Sequence, residues 1–70
     1  MMPLGFAGAN EENVIKRIGG NPEVKKHLED LGFVVGGTVK TISENNGNVI
    51  VVVKGTRIAI SREMAQKIFV

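Results

Sequence analysis

The chain has 70 residues, nine basic and seven acidic, and a net charge of +2. A domain of this size buries only about 60–65% of the surface its unfolded chain exposes and nets roughly 3–5 kcal/mol of stability without a staple. The absence of cysteine excludes a disulfide scaffold, a thiolate zinc site and a cysteine nucleophile, and a single histidine, His27, excludes a histidine-rich metal centre within one chain.

Residues 1–13 show no clear periodicity and read as an extended lead-in over the surface. Met1-Met2-Pro3-Leu4-Gly5-Phe6 has no basic n-region and no long apolar run, so it does not read as a secretory signal. No stretch approaches the roughly 18 apolar residues that span a bilayer. A small soluble cytoplasmic domain, residues 1–70, is the expectation. Val14 to Ile18 is rich in β-branched residues and reads as a strand stopped by Gly19-Gly20. Asn21-Pro22-Glu23 then opens a helix, with a cap, a ring-fixed φ and a negative charge in the expected order. Val24, Leu28 and Leu31 form one apolar stripe, and Gly32 ends the helix at Leu31. Phe33 is placed to fold back on Leu28 in a Schellman motif.

After Gly36-Gly37 the pattern turns to β. Thr38–Glu44 and Val49–Lys54 read as strands, joined through Asn46-Gly47, whose residues suit the two positive φ values of a type I′ turn. Gly55-Thr56 suits a type II′ turn leading to a strand at Arg57–Ile60. Ser61 is placed to cap a last helix or helical turn from Arg62 to about Phe69. Val49, Val51 and Val53 share one face by the two-residue period, and Ile58 and Ile60 continue it. A sheet of four or five short strands in so small a chain needs a second layer. The expected fold is mainly β, a small bent Src-homology-3-like barrel with one short helix after the first strand and a C-terminal helical turn.

Candidate chemistry is sparse. Glu23, His27 and Asp30 lie along one flank of the helix and are the only candidates for a weak divalent-ion site. Three ligands so spaced span about 10 Å, too far for one ion to bind all of them, so an exposed polar flank is the expectation. Gly32-Phe33-Val34-Val35-Gly36-Gly37 lacks the spacing and the Lys-Ser/Thr of a phosphate loop and reads as turn chemistry. Lys16, Arg17, Lys40, Lys54 and Arg57 fall on expected strands. With only Phe6, Phe33 and Phe69 as aromatics, they do not make a nucleic-acid platform or a polyproline groove. No nucleophile–base pair or carboxylate pair is discernible, so no catalytic residue and no cofactor are assigned.

Ile50 and Val52 are more informative. If Val49, Val51 and Val53 point inward, these two point outward, continued by Lys54 and bordered by Lys40 and Arg57. An apolar centre with a basic rim reads as a protein-docking face, for a partner or for a second copy of the chain.

Three segments resemble one family. Leu28-Glu29-Asp30-Leu31-Gly32-Phe33-Val34-Val35-Gly36-Gly37-Thr38-Val39 resembles the helix-to-strand signature of the FeoA family, with Val35 where proline is usual. Val14 to Gly20 resembles its first strand with an Arg-Ile pair. Lys54 to Ala65 resembles its closing hairpin and helical turn. In the lead-in, Ala9-Asn10 stands where a Pro-Gly turn is common. The resemblance implies a Src-homology-3-like barrel that works by binding, in the cytoplasm at the inner membrane face. It implies as partner FeoB, the membrane ferrous-iron transporter with a cytoplasmic G-protein domain. It implies neither an enzyme nor direct membrane insertion. Arg17, Arg57 and Arg62 give no arginine-finger argument. A similar barrel closes metal-dependent repressors of the diphtheria-toxin-repressor type, so a weak transition-metal-binding or sensing module is the alternative.

Overall fold

In a computed structural model covering residues 1–70, the helix forms where its local signals place it. α1 spans Pro22–Leu31, and the Asn21 side chain accepts a hydrogen bond from the Val24 amide at 2.9 Å. Gly32 takes φ 108°, the Gly32 amide donates to the Glu29 carbonyl and the Phe33 amide to the Leu28 carbonyl, both at 2.9 Å. That pair of bonds is the Schellman motif. Leu28 and Phe33 are both fully buried. Because a Cβ is penalised at that φ, Gly32→Ala is expected to destabilise the domain by about 1 kcal/mol or more. An unchanged melting temperature would show that the glycine is not required there.

Six strands follow from pairing rather than from local signals alone. β3 (Thr38–Asn45), β4 (Asn48–Val53) and β5 (Thr56–Ser61) form a meander, and β1 (Glu12–Val14) adds to β3, giving the sheet order β1-β3-β4-β5. Asn45 pairs with Asn48, and Asn46 and Gly47 take φ 51° and 81°, the type I′ turn its sequence predicts. Val49, Val51 and Val53 are buried accordingly. A register shift between Thr41 and Ser43 bulges β3 at Ile42 and bends the sheet.

Several expectations are corrected. The second turn is not Gly55-Thr56 in type II′ form. Val53 pairs with Thr56, so Lys54 (φ 51°) and Gly55 (φ 73°) are the central residues of another type I′ turn. The expected register would have set Lys54 opposite Arg57, like charges facing each other. The segment Val14–Ile18 is not one strand. Ile15 is a fully buried corner whose amide and carbonyl bond to Gly37 and Gly36, each at 2.8 Å, and the chain then enters β2 (Arg17–Ile18) in a second sheet. The helix after Ser61 is short: α2 covers only Arg62–Ala65, capped by the Ser61 hydroxyl on the Met64 amide at 3.2 Å. Beyond it Ile68 and Val70 alternate inward and β6 (Ile68–Phe69) pairs antiparallel with β2. The lead-in is not a surface crossing either. It makes a 3-10 turn at Leu4–Phe6, Leu4 is fully buried, and Met2 exchanges backbone bonds with Val70 at 2.8 and 2.9 Å.

The result is a small, mainly β domain of two sheets and short helices around one core. It is not a closed barrel, since β1 and β5 remain the edges of the larger sheet. No helix is long and apolar enough to cross a membrane. One flaw sits in the core: Thr41, 7% exposed and opposite Val51, has a hydroxyl with no hydrogen-bonding partner in the protein, as does the Asn13 side-chain amide. A buried unpaired hydroxyl costs about 1–3 kcal/mol. Thr41→Val is therefore expected to stabilise by about 1 kcal/mol and raise the melting temperature by roughly 4–8 °C. A lowered melting temperature would refute this.

Candidate docking surface

The outer face of the four-stranded sheet is built on β4, which has neighbours on both sides. Side chains alternate along it, so Ile50 and Val52 point opposite to the buried Val49, Val51 and Val53. Both are half-buried, and neither packs into the core. The register then places their neighbours. Val52 lies between Lys40 on β3 and Arg57 on β5, with Glu12 of β1 opposite Lys40; Ile50 lies between Ser43 and Ala59. Arg57 is exposed and without an ion pair, while Lys40 is half-buried. An apolar centre thus has one cation on either side of Val52. Val14, at the β1 edge opposite Thr38, is 49% exposed and adds apolar surface that the sequence pattern did not assign to this face.

Lys54 does not belong here. It sits at the β4–β5 turn, and its stem lies against the end of α1, where a Cβ on Gly32 would come within 3.5 Å of Lys54 Cδ. A cation at that helix end complements the negative pole of the helix dipole. Nor do the basic strand residues gather into one patch. Lys16 and Arg17 line a separate groove with Lys25 and Glu29 over Ile18, Val34 and Val35. Arg17 stacks on the Phe69 ring, 5.3 Å from its centroid, and Arg62 pairs with Glu44. The groove was not legible in the sequence because β2, α1 and the glycine-rich loop contribute one side each.

Glu23, His27 and Asp30 are all exposed on α1. Glu23 and His27 share a shallow groove with Glu63 and Lys67 between α1 and α2, but Asp30 lies outside it. No three histidine or carboxylate side chains gather closely enough to hold a metal ion.

A protein-family model, the FeoA domain, matches residues 2–70. A Methanocaldococcus jannaschii protein named for Fe(2+) transport, as transport protein A, is 40% identical over 70 residues, 100% of this chain and 85% of that protein. The crystal structure of an iron uptake regulatory protein, FeoA, superposes with a TM-score of 0.86 at 27% identity, covering 96% of this chain and 89% of that one. A manganese-dependent transcriptional repressor superposes with a TM-score of 0.88 at 15% identity, over 97% of this chain and 39% of the repressor. That last likeness is one of fold alone.

Proposed function

This chain belongs to the FeoA domain family, and from that premise we propose that it is an accessory protein of ferrous iron uptake. It has no catalytic activity of its own and works by docking, from the cytoplasm, onto the cytoplasmic part of a FeoB-type membrane transporter. The docking face is the outer side of β3, β4 and β5. The observation that carries this reading is the pair Ile50 and Val52, held on the central strand outside the core and flanked by Lys40 and Arg57. Burying each apolar side chain against a partner releases up to roughly 1.5–3 kcal/mol, and the two cations set the orientation of an acidic surface brought against them. The relative named for Fe(2+) transport supports the assignment to iron uptake.

Co-purification tests it. A tagged form of this chain should retain the detergent-solubilised FeoB-type transporter through washing at moderate salt. Failure to retain it, both with and without guanine nucleotide, would sink the reading.

A further inference from the structure

The two edges of the larger sheet differ. β1 is three residues long and carries Glu12, whereas β5 is six residues long, contains no proline and has Arg57 as its only charge. Short edges dense in charge resist pairing with another chain; longer ones with sparse charge resist it less. The turn geometry fixes where the free groups of β5 point. With a two-residue loop at Lys54-Gly55, Val53–Thr56 is a hydrogen-bonded pair, and bonded pairs then alternate with non-bonded ones along the ladder. Arg57 and Ala59, opposite Val52 and Ile50, fall in the non-bonded set. Their backbone amides and carbonyls are directed away from β4, towards a side where no strand pairs. Both residues are exposed.

We propose that β5 pairs antiparallel with β5 of a second copy of this chain, about a two-fold axis at Ala59. The two four-stranded sheets become one sheet of eight. The strand is self-complementary in this register. Ala59 faces its own copy, methyl to methyl, Ile58 stands opposite Ile60, and Arg57 stands opposite Ser61, so no like charges meet. An unrelated segment would need its own matching side chains, whereas a second copy supplies them by symmetry. The pairing would set the two Ile50 and Val52 rows on the same side of the joined sheet. It does not depend on the transporter reading.

Sedimentation equilibrium of the full chain should show a concentration-dependent monomer–dimer equilibrium. Ala59→Pro removes only the outward amide and leaves the β4 ladder intact, and Ala59→Lys sets like charges across the axis. Each should weaken dimerisation at least tenfold while keeping the parental far-UV circular dichroism. If the proline variant unfolds, the lysine variant decides, because it changes only an exposed side chain. The chain has no cysteine, so Ala59→Cys supplies the one thiol. Facing residues of a bonded antiparallel pair lie about 5.5 Å apart, within disulfide reach. With oxidised glutathione as oxidant, Ala59→Cys should cross-link at least tenfold faster than Ser43→Cys, an exposed control in the same row. A parent that stays monomeric to millimolar concentration overturns the proposal. So does a dimer that persists in the lysine variant, or equal cross-linking of the two cysteine variants.

Discussion

Truncation of Phe33 to alanine is expected to leave the chain without a cooperative thermal transition. Phe33 is the largest fully buried side chain, and it stands directly after the left-handed Gly32, where its own amide closes the Schellman motif on Leu28. A buried phenylalanine replaced by alanine costs about 3–5 kcal/mol, from lost apolar transfer and from the cavity left behind. A domain of this size without a staple has about that much stability in total. The two quantities are comparable, so the variant should be largely unfolded at 25 °C, as read by far-UV circular dichroism and by loss of amide-exchange protection. Phe33→Leu fills most of the same space and should retain a cooperative melt at lower temperature. A Phe33→Ala protein that melts like the parent would mean that the core does not hinge on this residue.

The second large effect is on association. The double variant Ile50→Thr/Val52→Thr should keep the fold, because both side chains lie outside the core and threonine retains the β-branching that suits a strand. Its affinity for the transporter should fall at least tenfold, about 1.4 kcal/mol or more, since two apolar groups at the centre of the face become hydroxyl-bearing ones. Surface plasmon resonance on the detergent-solubilised transporter reads the loss, and a thermal melt verifies the fold. Binding equal to that of the parent would place the docking site elsewhere, and the groove beside Lys16, Arg17 and Lys25 would be the next surface to change. Unfolding would assign the pair to the core.

What was legible in the sequence was short-range. Asn21, Pro22 and Gly32 fix both ends of α1 by contacts within one turn of the chain, so its limits could be read directly. Asn46-Gly47 fixes the register of β3 on β4, and the two-residue period then separates Val49, Val51 and Val53 from Ile50 and Val52. What was not legible depends on distant partners. Arg17 pairs with Phe69 and Ile18 with Ile68, and no local feature of Val14–Ile18 announces that the segment turns a corner at Ile15. Ile68 and Phe69 follow a capped helix start, which favoured continuing the helix; pairing with β2 overrode that preference. On the outer sheet face, Lys40 and Arg57 flank Val52 as expected because hairpin register is local. Lys54 was misplaced because its turn is set by a competition between registers one residue apart. Val14 joins the face only through the pairing of β1 with β3.

The backbone bonds that tie Met2 to Val70, with Pro3 bridged to Phe69, make the domain portable. Both ends leave the fold at one point, so the unit can be spliced into a loop of a larger protein, or carried at either of its ends, without stretching its core. The same fold occupies 39% of a manganese-dependent repressor. Any attachment is then made at one pole, where Met2 and Val70 meet.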